Sequence, residues 1–359
     1  MTRLKIKGIY FENIDENFNK MIVEGKNELD VSWEKYNEVV ENNIDEITES
    51  YEKSVIDAYV NLNTFTIDKF LEMSYKNQAI IVKEHADLFK YFIMYINYCH
   101  VLFEKCRTSI GRKRISQSLK CSIALYGIIT RRAKQINEML MNGYSDGAMI
   151  VWRSLYENVI AAATILIENN DELARKFKAH SLRNSKKKIE SFSKNYQELK
   201  LKALSKKNLD RLKNQEQLVT EKYGKEFIDQ EFGWADDLFP GKKKANLREL
   251  EIRLDMTTFR PYYLICSEHI HLGFNAFNNF SSSGKINLAE LNSQETDFSN
   301  FIDPMQFTTA ILHQISNLLL HEVSVESEYQ VNSDFLKALH YKLLDNIKKG
   351  NSDRTKRKL

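Results

Sequence analysis

Chain breakers are scarce in this sequence: proline occurs three times and glycine twelve times in 359 residues. An all-β sandwich or barrel needs a turn every 8–12 residues or so. A doubly wound α/β fold opens its nucleotide site on a glycine-rich loop. Neither pattern is present. Long segments instead repeat apolar residues at spacings of three and four, the period of an amphipathic helix, and a hydrophobic share of 43% supplies a sizeable core. The expected fold is all-α, a multi-helix bundle with a long N-terminal amphipathic helical arm.

The arm is read from about residue 30. Val31, Trp33, Tyr36, Val39, Val40, Ile44, Ile47, Tyr51, Val55 and Tyr59 form its apolar stripe, with acidic residues on the other face. Such a stripe must find a partner, so residues 30–64 are expected to pack on the body, on a second copy or on another protein. Residues 4–12 alternate briefly, as a short strand or extended arm would. An aromatic-rich helix is expected over 77–105 and a third helix over 111–142. Asn142-Gly143-Tyr144-Ser145-Asp146 then reads as a stop and a new start. The helix over 146–168 is apolar nearly all round and is expected at the centre. A long Lys-rich helix follows over 171–222, then an irregular stretch over 223–245. Helices over 247–254, 257–280, 303–326 and 333–348 complete the chain. The implied domains are an acidic N-terminal part (1–105), a helical core (106–348) with a polar spur at about 186–245, and a basic disordered tail (349–359).

Lys plus Arg (52) nearly balance Asp plus Glu (49), but the charges are segregated. Residues 1–64 hold 7 basic and 14 acidic side chains, residues 105–134 hold 9 basic and none acidic, and residues 171–213 hold 14 basic and 5 acidic. Basic clusters of this kind fit a polyanion surface, or solvated helix faces beside an acidic arm. The residues they nominate for nucleic-acid contact are Arg112, Lys113, Arg114, Arg131, Arg132, Lys186, Lys187 and Lys188. The N-terminus lacks the apolar core of a signal peptide. The longest near-apolar run, residues 159–167 with Thr164 inside it, is well short of the roughly 20 residues needed to cross a bilayer. None of the four cysteines forms a Cys-x-x-Cys pair. The expectation is a cytoplasmic protein with reduced thiols and no membrane attachment.

Two polar constellations interrupt apolar helices. Arg153 and Glu157 lie four apart, on one face of the central helix. A charge in an apolar helix costs several kcal/mol unless it is paired, so either an ion pair locks neighbouring helices or a carboxylate positions an anion-binding arginine. Tyr263, Ser267 and His271 are spaced four and four on a later helix. His271 can serve as general acid or base with Ser267 one turn away; the alternative is a hydrogen-bonded core histidine. His269 and His271 diverge by about 200° on a helix and make no metal site. Walker, nucleophile-elbow and dinucleotide motifs are absent, so neither metal nor cofactor is expected. His180 and Trp234 are weaker candidates, Trp234 reading mainly as a packing anchor.

Arg153-Ser154-Leu155-Tyr156-Glu157, a basic helix with Phe177, then Trp234, then Tyr263-x-x-x-Ser267-x-x-x-His271 resemble a bacterial helical family known only as a domain of unknown function, over about residues 110–325. The resemblance implies an all-helical fold and supplies no catalytic roles. By association it implies an accessory or mobile-element protein with a role in phage defence. A looser similarity is to HEPN-type ribonuclease toxins, which carry an arginine and a histidine on one helix. Here Glu157 stands four residues after Arg153 and the histidine lies on another helix.

The functional expectation is a defence-associated effector that binds or acts on RNA or DNA, with metal-independent RNA cleavage as its chemistry. Arg153 would hold a phosphate, Glu157 would orient it, and His271, Ser267 and Tyr263 would handle protons. The alternative is a non-enzymatic sensor or scaffold in which the two motifs form one buried network. Every catalytic version requires the motifs to meet in space.

Overall fold

The computed structural model describes residues 71–110, 115–241, 244–270, 298–324 and 326–357, with scattered positions between Ser32 and Lys69. Residues 1–76 and 77–359 form two separate compact units. In the first, the amide of Lys35 donates to the Ser32 hydroxyl at 3.4 Å, a helix-opening contact. Every residue of the apolar stripe from Val31 to Tyr59 lies outside the described residues, as do residues 4–12.

The described residues of the second unit are mostly helical. Its main helices are α1 (Ala86–Ile110), α2 (Gln117–Met141), α3 (Ser145–Glu168), α4 (Asp171–Asn195) and α5 (Lys206–Tyr223). They are followed by α6 (Lys225–Asp229), α7 (Leu247–Arg253), α8 (Arg260–Ile270), α9 (Phe298–Val323) and α10 (Glu326–Arg357). Among the described residues there is no strand. The unit begins at Asn77, so the aromatic-rich helix belongs to the core: Phe89, Phe92 and Tyr95 of α1 are fully buried.

Local signals set several boundaries. Ser116 caps α2 by accepting from the Leu119 amide at 3.1 Å. Gly143, at φ +72°, turns the chain from α2 into α3. Asn169, in the left-handed region at φ 43°, ends α3, and Asn170 caps α4 through the Glu172 amide at 2.9 Å. The long Lys-rich helix expected over 171–222 is in fact two helices. Lys200 takes φ +52°, the Leu201 amide returns to the Tyr196 carbonyl at 2.8 Å, and Ser205 caps α5. The arms of this hairpin are tied by Lys186 and Glu216 at 2.5 Å. α5 contributes no fully buried residue, but by folding back it packs Leu212, Val219 and Tyr223 against the core, which one straight helix past Asn195 would carry away from it. Gly233 opens the 3₁₀ turn Gly233–Leu238, where a Cβ would stand 2.3 Å from the Phe227 carbonyl oxygen. α9 starts five residues before Asp303 and carries Pro304 inside it. α10 is longer than the expected 333–348 and runs helical to Arg357, through most of the segment read as a disordered tail.

α3 is the centre. Trp152, Leu155, Tyr156, Val159 and Ala162 are fully buried, and the helix packs against α2, α8 and α9. α1 packs on α2 and α9, and α10 lies across α1 and α9. By length and hydropathy α3 is long and apolar enough to cross a membrane, as the core helix of a bundle can also be. Most of its apolar surface is covered by its neighbours, Ile150 and Ile167 staying exposed, and one flank is polar. At 100° per residue, Arg153, Ser154, Glu157 and Asn158 share that flank, and all four are half-buried. The candidate site is built there.

Candidate functional site

The helical period places Arg153 and Glu157 one turn apart. Arg153 Nε donates to Glu157 Oε1 at 3.2 Å. The third member arrives from α8, where Pro261 in the first turn helps fix the start of the helix. Tyr263 Oη accepts from Arg153 Nε at 3.2 Å and donates to Glu157 Oε1 at 2.8 Å. The Arg-Glu and Tyr-Ser-His motifs therefore meet through this triangle. Burial, and then the bond to the Glu157 carboxylate, raise the Tyr263 pKa, so the phenol stays protonated. Burial works against the charge on Arg153, but Tyr263 and Glu157 outweigh it and the guanidinium is held more firmly ionised.

The tyrosine ring has two guanidinium groups close to it. The Cζ of Arg153 is 5.0 Å from the ring centroid and that of Arg260 is 5.1 Å away, within range for cation–π attraction. Arg260 Nη1 contacts both carboxylate oxygens of Glu251 at 3.3 Å. Glu251 is fully buried, whereas the Arg260 side chain is 31% exposed. Arg153 is 21% exposed and Glu157 43%. The cluster thus has a buried acidic root and a partly open basic face. Beneath it, Tyr156 stacks on Trp152 at 5.2 Å and donates from its hydroxyl to the Met256 carbonyl at 3.1 Å. Burial first, and then the Glu251 charge, push the Tyr156 pKa up.

Sequence reasoning missed Arg260 and Glu251. One signal was available: Leu247, Leu250 and Leu254 form the apolar stripe of α7, and Glu251 occupies a stripe position that ought to be apolar.

The remaining candidates are placed differently. The Ser267 hydroxyl donates to the Tyr263 carbonyl at 2.7 Å, one turn back on its own helix, and does not join the triangle. This is the usual fate of a serine inside a helix. His271 lies outside the described residues, as do Arg112, Lys113 and Arg114. Arg131 is exposed, and Arg132 is half-buried with its Nε meeting no partner among the described residues. Lys187 and Lys188 are exposed on α4, while Lys186 is held by Glu216. His180 is a satisfied core histidine, its Nε2 2.8 Å from the Gln230 carbonyl. Trp234 is buried edge-on to Phe177 at 5.0 Å and is a packing anchor.

Cys266 neighbours the cluster, but burial pushes its thiol up to about 12, which suits packing and not nucleophilic attack. Among the described residues, no group of three or more His, Cys, Asp or Glu is placed to hold a metal ion. The chemistry on offer is that of guanidinium donors, a carboxylate and a phenol at the edge of an apolar core. It suits an anion better than a neutral ligand.

Residues 120–286 match the model of a family described as "Family of unknown function (DUF5677)". The match contains both motifs and lies within the span over which the sequence resembles a helical family of unknown function. No curated protein and no solved structure matches the chain.

Proposed function

We propose that the helical core is a nucleic-acid-directed effector whose Arg153–Tyr263–Arg260 face holds a phosphodiester, with metal-independent RNA cleavage as its chemistry. The observation that carries this reading is the pair of partly open guanidinium groups close to one tyrosine ring, each tied to its own carboxylate. Fixed cations beside a developing phosphorane charge are the main requirement of metal-free cleavage. In that reaction a base takes the proton of the ribose 2′-hydroxyl and the oxygen attacks the adjacent phosphorus. The 5′-oxygen then leaves with a proton from an acid, and a 2′,3′-cyclic phosphate remains. Arg153 and Arg260 would stabilise the charge, with Glu157 orienting Arg153. Tyr263 would hydrogen-bond a phosphate oxygen, and His271 would exchange protons. Exposed cations such as Arg131, Lys187 and Lys188 would add backbone contacts. The proposal also includes a cytoplasmic, defence-associated setting, and self-association or partner binding through residues 30–64.

A specific observation favours a second reading. Arg153, Glu157 and Tyr263 bond one another, and Ser267 bonds its own backbone, so the motifs can also serve as an interhelical lock.

The test compares wild type with Arg153→Ala, Glu157→Gln and the double variant. RNA binding is measured across a salt series, cleavage of total RNA is measured in EDTA, and melting temperature is recorded for each. The proposal expects RNA binding that weakens steeply with salt and is lost in Arg153→Ala, with a stability change within about 1 kcal/mol. If wild type neither binds nor cuts RNA, and both variants lose several degrees non-additively, the network is structural.

A further inference from the structure

A cleft of about 530 Å³ opens beside α3, within the size range of a small-molecule site. Its walls are apolar: Val159, Ala163 and Ile167 form one stripe of α3 at a spacing of four, and Ile315 and Leu318 face them from α9. That stripe lies about 100° around α3 from the flank carrying Arg153 and Glu157, so this is a different site. Its polar lining is the Asp255 carboxylate, the amides of Gln314 and Asn317, and His321. No lysine or arginine lines it.

Asp255 sits just beyond α7 in a left-handed conformation at φ +55°, a region that Asp tolerates better than most residues. Backbone bonds fix it there: its own amide reaches the Ile252 carbonyl at 3.2 Å, and the next amide, of Met256, reaches the Glu251 carbonyl at 2.8 Å. Ile167 and Leu254, also in the lining, mark the C-terminal ends of α3 and α7, where helix carbonyls carry partial negative charge. Asn317 on the wall has its amide nitrogen 3.0 Å from His313 Nε2, while its buried Oδ1 has no partner among the described residues. Tyr329, edge-on to His321 at 5.8 Å, adds an aromatic ring to the lining. The cation nearest in sequence, Arg253, is committed to Glu168.

We propose that this cleft binds a small apolar amine. The hydrocarbon body would lie against α3 and α9, and the ammonium would face Asp255, with N–H donors available to Asn317. A phosphate or carboxylate ligand would face the Asp255 charge with no lysine or arginine in the lining to offset it. This inference does not rest on the RNA reading.

Two probes of nearly equal shape decide it, 1-naphthylmethylamine and 1-naphthoate, titrated into the full chain by calorimetry at neutral pH. The amine is expected to bind at one site, about tenfold or more tighter than the carboxylate, as one close charge contact would give. Asp255→Asn keeps the left-handed backbone and should erase that preference. Ala163→Met should fill the cleft and abolish amine binding. If Ala163→Met does not fold, Asp255→Asn alone decides the matter. The proposal fails if neither probe binds, if both bind equally, or if Asp255→Asn leaves the preference intact.

Discussion

Two polar clusters knit the central helices together, and they follow opposite rules. In one, Tyr126 of α2 meets Ser316 of α9 at 2.7 Å between their hydroxyls, and Cys99 of α1 lies 3.8 Å from the same serine. All three are fully buried and neutral. Burial pushes the Cys99 thiol up to about 12 and raises Tyr126 well beyond its ordinary value, which keeps them neutral. In the other, Arg153, Glu157, Arg260 and Glu251 all belong to charged types, and only Glu251 is fully out of solvent. A neutral network can join three helices without ion desolvation; a charged one has to keep one side open to water. The first has the form of a lock, the second that of a site rooted in the core.

The contrast breaks first at Arg260. Arg260→Ala leaves the Glu251 carboxylate buried without its partner, and should cost about 3–5 kcal/mol in chemical denaturation. Adding Glu251→Leu should restore most of that loss, because the buried charge goes with it. If the single variant is as stable as wild type, Glu251 is not held by Arg260 and the buried root of the site does not exist.

The neutral cluster should respond less. Tyr126→Phe removes one hydrogen bond and no charge, so a loss of about 1 kcal/mol is expected, or a melting temperature lower by about 2–4 °C. A loss as large as that of Arg260→Ala would erase the distinction between the two clusters.

The smallest effect concerns histidines that burial keeps neutral. His180, His313 and His340 are all held below the ordinary imidazole range, by burial first in each case. Lys337 adds to the effect at His313, and His313, stacked at 6.1 Å, adds to it at His340. The unfolded chain takes up these protons as pH falls through about 6.5, while the folded protein resists, so the unfolded state binds more protons. Stability is therefore present above pH 6.5 or so and lost below it. Melting temperatures at pH 7.5 and 5.5 should show the drop, and His313→Gln with His340→Gln should shrink it.

Much of the fold was legible because it rests on local signals. The apolar period of α3, the glycine turn before it and the Asn169-Asn170 stop and cap all act within a few residues. Where the reading failed, the deciding interaction was remote. The break after Asn195 carries no glycine or proline, and it reflects a remote gain: folding back lets Leu212, Val219 and Tyr223 of α5 pack against the core. The site was half legible. Arg153 and Glu157 were visible as charges out of place, and Tyr263 as part of a polar stripe. Ser267 looked equivalent to Tyr263, since spacing shows which face a side chain is on and not whether its hydroxyl turns back to the helix. Arg260 was hidden because an arginine at a helix start is ordinary until its partner is known to be buried.

By itself, then, the sequence determined that this chain is helical, that α3 lies at its centre and that two motifs carry charge or polarity where apolar residues belong. Helical period and capping act over a few residues, and the order of residues records them directly. Only the tertiary structure decided that Tyr263, 110 residues from Arg153, closes a triangle with it. It alone also decided that Glu251 roots Arg260 in the core and that Asp255 stands at the edge of an apolar cleft. Those pairings depend on which helix faces meet, and spacing along one chain does not encode that.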